Sequence, residues 1–336
     1  MADEPKAVAI ALLSGGLDSI LAAKVVLEQA ITVIGVTFAG AYCPRPRTGK
    51  SNAEKAADRL GIELVTLPID AGFIAMVKRP KHGRGKNMNP CIDCHTLMIR
   101  AAWAYGQARG AGFVITGEVL GQRPLSQNRQ ALGVVACESG VGDRLLRPLS
   151  AKLLEPTEPE RAGLVDRELL LDIEGRSRRR QMDLAAQYGI SEYPNPAGGC
   201  LLTEKTFSKR LAEAFNHGED SLEIVELLSL GRHFRLPSGA RLVVGRDESE
   251  NNELLRRKPN VALVVDGSDL PGPVALVLPP SRVGAALADS DRVLAVRICA
   301  RYSDKRKEKL ARAVVAGEAV DVEPASEEDS ARLLIA

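Results

Sequence analysis

The chain has 336 residues, of which 45% are hydrophobic and 26% charged, and its formal net charge is +2. This length favours two domains, and the hydrophobic content is sufficient for packed cores. The nearly neutral charge neither requires nor excludes a nucleic-acid partner. No apolar run reaches the roughly 18 residues of a membrane span, and residues 1–6 lack the pattern of a signal peptide, so we expect a cytoplasmic protein with no membrane partner. Six cysteines in such a chain do not indicate a disulfide framework.

Short apolar strands alternate with helical patterns in the first part of the chain. Strands are predicted at Val8–Leu13, Ile31–Phe38, Glu63–Pro68 and Phe113–Thr116, and helices at Ile20–Gln29, Ser51–Leu60 and Pro90–Ala108. Ser51 and Glu54, three residues apart, form the pattern of a capping box at the start of the second helix. This alternation predicts an α/β fold with a doubly wound parallel sheet, whose ligands bind at the carboxyl ends of the strands.

The character of the chain changes after a connector rich in proline and glutamate at residues 150–170. Helical patterns occur at Ser177–Tyr188, Phe207–Phe215 and Leu222–Leu230, strands are predicted at Arg241–Val244, Val261–Val265, Val274–Leu278 and Val293–Ala300, and a closing helix at Lys305–Ala316. We therefore place a boundary between residues 215 and 232. The prediction is a first domain at residues 1–215 and a second, smaller α+β domain at residues 232–336.

The stretch Ser14–Ser19, with the sequence SGGLDS, directly follows the first predicted strand. Its two glycines let the turn approach an anion closely, and the N–H groups and dipole of the following helix favour negative charge there. Ser14 and Ser19 add hydroxyl donors, and Asp18 can hold a divalent metal. The stretch is a candidate pyrophosphate cradle, although it lacks the Gly-Lys-Ser/Thr end of a Walker loop. The alternative is an ordinary strand-turn-helix joint.

Three cysteines stand in motif contexts of their own. Cys91 and Cys94 form a C-x-x-C at the predicted start of a helix, and Cys200 ends a Gly-Gly-Cys. A helix N-terminus favours thiolates, and nearby cations add to this effect. Those cations are Lys81, Arg84 and Lys86. Three thiolates can hold an iron–sulfur cluster and leave one iron open.

Other uses of these cysteines stay open. Zinc would need a fourth ligand, which His95 or His82 could supply. Two of the cysteines could instead form a redox or persulfide pair, or all three could be ordinary buried thiols. Of the remaining cysteines, Cys137 and Cys299 lie in apolar stretches that predict core positions, and Cys43 is ambiguous.

A second polar cluster follows the short strand that ends at Thr116. It comprises Thr116, Glu118, Gln122, Arg123, Ser126 and Gln127. These side chains suit a nucleotide base, and Arg123 suits a phosphate. A solvated polar loop is the alternative.

Several motifs occur together in one order and carry a family resemblance. The SGGLDS loop resembles the PP-loop, SGGxDS, of ATP pyrophosphatases, which cleave ATP to AMP and pyrophosphate while adenylating a substrate oxygen. Residues 117–127 resemble the GExxGQxxSQ segment of the tRNA 4-thiouridine synthetases, and Leu146–Leu149 with Lys152 resembles their RPL segment. Asn89–Cys94 resembles the NPCxxC of tRNA thiouridylases. Together the matches span about residues 8–210.

The resemblance implies a PP-loop, adenine nucleotide alpha hydrolase-like fold and roles for individual residues. Residues expected at the ATP phosphates are Ser14, Gly15, Gly16, Asp18 and Ser19, with Asp18 also holding Mg²⁺, and residues expected to line the adenylate are Gly117, Glu118, Gln122 and Gln127. Cys91, Cys94 and Cys200 match the cysteines that bind a 4Fe-4S cluster in iron–sulfur-dependent tRNA thiolases. With Asp18, they are the predicted catalytic residues. We find no rhodanese-like segment and no RNA-binding domain before the PP-loop, so we expect sulfur delivery and tRNA binding to differ from those of the long synthetases.

The C-terminal part carries a second resemblance. Residues 236–254 contain a Ser-Gly turn, a strand, a Gly-Arg pair and a polar helix start, which is similar to the VGRxxxEN pattern of the NFACT-R domain, an RNA-associated module. The similarity extends over about residues 232–316 and implies a basic RNA-contacting surface. The candidate residues are Arg232, Arg246, Arg256, Arg257 and Lys258. A solvated charged face is the alternative for each of them.

A run of arginines between the cysteine motifs adds candidate phosphate contacts. The run consists of Arg176, Arg178, Arg179 and Arg180, on a predicted helix. Contact with RNA phosphates is the preferred use, and plain solvation is the alternative.

These patterns together predict an ATP-dependent tRNA uridine thiolase. ATP would adenylate a uridine carbonyl oxygen, and sulfur from a cysteine desulfurase or inorganic sulfide would then replace that oxygen and release AMP. A cluster is favoured over a persulfide relay because three cysteines occur without a carrier domain, and the resemblance favours 4-thiouridine over 2-thiouridine. The alternatives are a zinc-containing amide or nitrile synthetase acting on a small molecule and a non-catalytic RNA-binding factor.

Overall fold

The structure is a computed structural model that describes residues 7–43, 46, 49–194, 200–257, 261, 263–266, 272–281, 287–304, 309–315 and 318–335. The chain divides into two compact units, Met1–Cys200 and Leu201–Ala336. The composition change at residues 215–232 therefore falls inside the second unit. Lys258 and the two glycines before Cys200 lie outside the described residues. In the described part of the chain, no helix combines the length and the apolar character needed to cross a membrane.

A five-stranded parallel sheet forms the centre of the first unit. Its strands are β1 (Val8–Leu12), β2 (Thr32–Ala39), β3 (Leu64–Pro68), β4 (Phe113–Ile115) and β5 (Leu145–Leu146), in the order β3-β2-β1-β4-β5. Its helices are α1 (Leu17–Leu27), α2 (Asn52–Leu60), α3 (Ala71–Lys78), α4 (Cys91–Gln107), α5 (Arg129–Ser139), α6 (Glu158–Arg161) and α7 (Arg179–Gln187). All four strand pairings are parallel, which confirms the predicted α/β fold.

Strand β1 lies at the centre of the sheet and is buried on both faces. Ala9 and Ala11 belong to the core that includes α1, whereas Ile10 belongs to the core that includes α4. Helix α4 packs so closely that a Cβ on its Gly106 would lie 2.4 Å from the Ile10 side chain. The strand order reverses between β1 and β4, so the loops that follow these two strands open at one carboxyl edge. That edge is the point where such sheets bind ligands.

In the described ranges of the second unit, a six-stranded antiparallel sheet is accompanied by five α-helices. Its strands are β6 (Arg232–Arg235), β7 (Arg241–Val244), β8 (Leu263–Asp266), β9 (Ala275–Leu278), β10 (Ala311–Val315) and β11 (Glu318–Val322), in the order β11-β10-β8-β9-β7-β6. The helices are α8 (Lys205–Asn216), α9 (Leu222–Leu227), α10 (Glu248–Arg257), α11 (Asp289–Arg301) and α12 (Glu327–Leu333). This confirms the smaller α+β domain expected in the C-terminal part.

Two secondary-structure predictions in this unit are wrong. Val293–Ala300, predicted as a strand, lies within α11. Its β-branched residues suggest a strand, but Ala295 and Cys299, four residues apart, are both buried, while Val293 is 53% exposed. The helix predicted at Lys305–Ala316 is replaced, in its described part, by strand β10, which pairs with β11.

Arg241 lies at the centre of a buried charge network that joins α8 to strands β6 and β7. Its side chain is fully buried, its Nε donates to Glu219 Oε2 at 2.6 Å, and its Nη2 donates to Glu213. Arg235 donates to the same two carboxylates. Since Glu213 lies on α8, these bonds explain why that helix belongs to the second unit.

Replacing Arg241 by methionine should lower the free energy of unfolding by about 3 kcal/mol, because one partner is removed from a buried ion pair. Arg235 stays bonded to Glu219, which keeps the loss at the lower end of such costs. Arg256 pairs with Glu253 on the surface, and Arg256→Met should change the free energy by less than about 1 kcal/mol. Urea unfolding of the full chain measures both variants. Equal midpoints would contradict a stabilising role for the network.

Candidate active site at the edge of the parallel sheet

Ser14–Ser19 forms the turn between β1 and α1, and backbone packing fixes its shape. Gly15 has a φ of +77°, and a Cβ there would lie 2.2 Å from the carbonyl carbon of Asn52, so the position accepts only glycine. Asn52 begins α2, which starts with the predicted capping box: the Ser51 Oγ accepts a 3.2 Å bond from the backbone N–H of Glu54. The turn therefore rests directly on the N-terminus of α2.

Two hydroxyl groups lie at the mouth of this turn. The Oγ atoms of Ser14 and Ser19 are 3.2 Å apart, and the Ser19 Oγ also donates to the carbonyl oxygen of Gly16 at 2.8 Å. Gly16 is the N-cap residue of α1 and offers no side chain to cap it. The first N–H groups of α1 therefore have no side-chain cap, which is the arrangement that accepts an anion at a helix N-terminus.

Asp18, in the first turn of α1, is held by two side chains from distant parts of the sequence. Its Oδ2 accepts from Arg178 Nη2 at 2.6 Å and from Gln122 Nε2 at 3.1 Å. Its Oδ1 is buried and has no hydrogen-bond partner among the residues that the structure describes. Mg²⁺ commonly binds one or two carboxylates and completes its shell with water and phosphate oxygens. The unpartnered oxygen therefore fits the Mg²⁺ ligand expected at Asp18.

The loop after β4 meets the PP-loop at the position of Gly117. A Cβ on Gly117 would lie 2.6 Å from both the carbonyl carbon of Asp18 and the backbone nitrogen of Ser19. The same loop supplies Gln122 to Asp18 and places Gln127 in a buried position with its Oε1 unpartnered. The two expected halves of the nucleotide site are thus in backbone contact.

Glu118 differs from the expectation that it lines the adenylate directly. It is 3% exposed, and both oxygens already have partners: Oε1 bonds His95 Nδ1 at 2.8 Å, and Oε2 accepts from Thr116 Oγ1 and Arg147 Nε at 3.0 and 2.9 Å. Burial alone would raise the pKa of Glu118, but the Arg147 charge and the His95 hydrogen bond lower it to about 2. Glu118 is therefore ionised and engaged by three neighbouring side chains.

Four cysteines come together around the N-terminal turn of α4. Burial raises the pKa of Cys94 well above its usual range, and the charges of Cys200, Cys43 and Cys91 raise it further. Burial, with a contribution from Cys200, raises the pKa of Cys43 to about 12. These electrostatic interactions between thiols require the three predicted cysteines to lie near one another. They also add Cys43, which follows β2 at the carboxyl edge of the sheet and was ambiguous in the sequence.

The expected stabilisation of thiolates by nearby cations is wrong for Cys94. Its pKa is raised, because burial outweighs the helix N-terminus. Two of the cations invoked are engaged elsewhere: Lys81 pairs with Glu138 at 2.7 Å, and Arg84 donates to the carbonyl oxygen of Val77 at 2.9 Å. Cys137, expected in the core, is exposed on α5.

The donor types present suit an iron–sulfur group, and they also suit zinc. His95 and His82, the candidate fourth zinc ligands, are bonded to Glu118 and Glu138 through Nδ1 and Nε2 respectively. A histidine that binds a metal commonly has such a carboxylate on its other ring nitrogen, so these bonds are compatible with a zinc ligand. Thiolates are the ligands that iron–sulfur clusters use, and zinc binds them as well. Within the described ranges, no three His, Cys, Asp or Glu side chains are arranged to hold a metal ion. The chemistry of the donors thus fits a cluster, while their positions are those of separate thiols.

Most arginines predicted to contact RNA are paired with carboxylates. Arg246 pairs with Glu250, Arg256 with Glu253, Arg257 with Glu226 and Glu253, Arg180 with Asp172, and Arg178 with Asp18. Arg232 lies over the Tyr302 ring, 4.6 Å from its centroid. Arg176 and Arg179 are exposed. The arginine run is therefore divided: one member enters the candidate active site, and others lie at the surface.

Three features of this site are not predicted by the sequence. Arg178 was assigned to RNA, Cys43 to no role, and the link from His95 to Glu118 was not foreseen. A signal existed for Cys43, because it follows a strand whose carboxyl end lies at the ligand edge. No local pattern marks Arg178 or the histidine, since their partners lie 160 and 23 residues away.

Comparisons with known proteins agree with these two resemblances. Residues 6–152 match the family model described as thiamine biosynthesis protein (ThiI), and residues 231–332 match the NFACT protein RNA binding domain. The chain is 25% identical over 284 residues to the tRNA-specific 2-thiouridylase MnmA of Methylobacillus flagellatus, which covers 77% of this chain and 74% of that protein. It is also 31% identical over 127 residues to the probable tRNA sulfurtransferase of Methanosarcina mazei, a match that covers 34% of this chain and 28% of that protein.

One solved structure similar to this chain is a 4-thiouridine synthetase–RNA complex with bound ATP. The match has 22% identity and a TM-score of 0.33, and it covers 53% of this chain and 50% of that one. The two family matches are the evidence that relates this chain to known families. They contain the PP-loop, the segment after β4 and the C-x-x-C in one range, and the antiparallel sheet in the other. The chain is thus similar to the ThiI family over residues 6–152 and to the NFACT protein RNA binding domain over residues 231–332.

Proposed function

We propose that this protein is an ATP-dependent tRNA uridine thiolase that forms AMP and pyrophosphate. One observation carries the proposal: a continuous path links the phosphate loop to the cysteines. Gly117 packs on Asp18 in the PP-loop, and the next residue, Glu118, bonds His95, which directly follows Cys94. The path supports a site in which the oxygen activated by ATP and the sulfur that replaces it are handled side by side.

The first half-reaction uses the PP-loop. The carbonyl oxygen of the uridine attacks the α-phosphorus of ATP, and the bond to the pyrophosphate leaving group breaks. The N–H groups at the start of α1, with the hydroxyls of Ser14 and Ser19, stabilise the charge that develops on the pyrophosphate. Asp18 would hold the Mg²⁺ that accompanies ATP. Adenylation turns a poor leaving oxygen into AMP.

The second half-reaction replaces AMP by sulfur. We assign Cys91, Cys94 and Cys200 as ligands of a 4Fe-4S cluster, which supplies an open iron for sulfur transfer when it is bound. Cys43 lies within electrostatic range of this set. A cysteine desulfurase or inorganic sulfide would provide the sulfur. A persulfide relay among the same cysteines is the alternative.

The resulting nucleoside is proposed to be 4-thiouridine. The resemblance of residues 117–127 to the GExxGQxxSQ segment of the tRNA 4-thiouridine synthetases supports this choice. The similarity to a 2-thiouridylase over 284 residues favours 2-thiouridine as the second candidate. The NFACT-type domain supports tRNA as the partner, since its family is described as RNA-binding.

Protein purified without oxygen should contain about four irons and four acid-labile sulfides per chain. Cys91→Ala, Cys94→Ala and Cys200→Ala should each lose most of this iron, because each removes one of three ligands. Cys137→Ala is the matched control, since Cys137 is an exposed cysteine outside the group. Iron that is absent from the wild type, or that survives in all three variants, would overturn the cluster assignment.

Activity separates the remaining functions. AMP release should depend on unmodified tRNA, and mass spectrometry of digested tRNA should identify the thiolated nucleoside. Thiolation without iron would favour the persulfide relay. AMP release without RNA would favour a small-molecule synthetase, and RNA binding without AMP release would favour a non-catalytic factor.

A further inference from the structure

Arg178 occupies a built position beside the PP-loop. It precedes α7, which packs against α1. The chain before it is hydrogen-bonded to the loop after β4, because the backbone N–H of Gly175 donates to the carbonyl oxygen of Leu120 at 2.8 Å. The backbone N–H of Leu120 in turn donates to the Ser150 Oγ at 3.0 Å. Arg178 is therefore held by the same backbone frame that positions Gln122, rather than lying on a free surface.

The side chain of Arg178 forms its ion pair with the residue expected to serve ATP. Its Nη2 lies 2.6 Å from Asp18 Oδ2, and the two side chains are 22% and 14% exposed. A guanidinium has five donors in a planar fork that suits phosphate oxygens. One Nη donor is used by Asp18 here. The Arg178 guanidinium is thus a cation beside the phosphate cradle, and Asp18 engages only one of its donors.

We propose that Arg178 is a phosphate-binding residue of the ATP site, held by Asp18 until nucleotide enters. The inference rests on the proposed function, because it requires ATP at the PP-loop. ATP brings several negative charges to the cradle, and these compete with Asp18 for the guanidinium. As Arg178 turns to the phosphates, the Asp18 carboxylate becomes free for the cation that accompanies them. The pair therefore couples nucleotide binding to exposure of the metal ligand.

The neighbouring arginines do not share this geometry. Arg180 pairs with Asp172, and both side chains are more than half exposed. In the part of the chain that the structure describes, Arg176 and Arg179 are exposed and form no ion pair. They supply matched controls, because Arg176→Ala and Arg179→Ala remove the same charge from the same run. If the whole run served RNA, all four substitutions would act alike.

The test is equilibrium binding of ATP and of AMP, each with Mg²⁺ and without tRNA, to the full chain. Arg178→Ala should weaken ATP binding roughly 10- to 100-fold, since it removes charge-assisted hydrogen bonds to phosphate. AMP affinity should change less, because AMP lacks the β- and γ-phosphates. Arg178→Lys should recover part of the loss, and the two control variants should keep the wild-type affinity. Thermal unfolding confirms that each variant is folded.

The outcomes separate this inference from the proposed function. If the wild type binds ATP and Arg178→Ala binds it equally well or more tightly, the inference is overturned. The role of Arg178 is then only to pair with the Asp18 carboxylate. If Arg178→Ala loses tRNA affinity but keeps ATP affinity, the residue belongs to the RNA surface instead. If the wild type itself fails to bind ATP, the proposed function fails.

Discussion

Gly15→Ala is expected to lower ATP-dependent AMP formation by at least roughly 100-fold, because small displacements of a reacting group cost about that much. The left-handed φ of +77° strains any side chain, and the added Cβ would lie 2.2 Å from the carbonyl carbon of Asn52. The atom that the Cβ would meet belongs to the backbone of Asn52 at the start of α2, so it cannot move away as the end of a flexible side chain could. The turn must shift, and the cradle for pyrophosphate shifts with it. Single-turnover measurement of AMP release gives the effect.

Gly16→Ala and Gly133→Ala are the controls for this substitution. At Gly16 a Cβ would approach only the Ser14 hydroxyl, at 3.4 Å, and the φ of −78° suits any residue. At Gly133 a Cβ meets nothing within 4 Å. We expect Gly133→Ala to keep full activity and Gly16→Ala to keep the fold. Normal turnover by Gly15→Ala would show that the tight turn is not required for the reaction.

Glu118→Gln is expected to destabilise the first unit by about 3–5 kcal/mol, the cost of leaving one member of a buried ion pair alone. Arg147, only 6% exposed, would then lack its carboxylate. His95 would lose the anion that bonds its Nδ1, so the turn that carries Cys94 would be positioned less firmly. Urea unfolding measures the stability. Glu63→Gln is the control, because Glu63 pairs with Arg109 on the surface, where such pairs contribute less than about 1 kcal/mol.

The same carboxylate predicts a dependence of stability on pH. The pKa of Glu118 in the folded protein is about 2, below the ordinary value of 4.5. Its contribution is therefore fully present above pH 4.5 and is lost as the pH falls from 4.5 towards 2. The free-energy difference between wild type and Glu118→Gln should shrink over that range. A difference that stays constant down to the lowest pH at which both proteins fold would contradict an ionised Glu118.

Local patterns were sufficient for the features that depend on neighbouring residues. The SGGLDS turn and the capping box at Ser51 each follow from residues within a few positions of one another. The parallel sheet follows from the alternation of short strand patterns and helix patterns along the chain. Val293–Ala300 shows the limit of this approach. Its β-branched residues indicate a strand, but the segment is helical because Ala295 and Cys299 are buried on one side of α11.

The sequence alone determined the chemistry available to this protein, and the tertiary structure decided how it is distributed. A glycine turn, a polar loop and a C-x-x-C can be recognised in the sequence because each lies within a short segment. The pairing of Arg178 with Asp18 joins residues 160 positions apart, and Glu118 is shared by His95 and Arg147. These contacts exist because parallel strands bring the ends of separate segments to one edge of the sheet. Which arginine lies beside the PP-loop, and which carboxylate is surrounded by donors, follows from that edge.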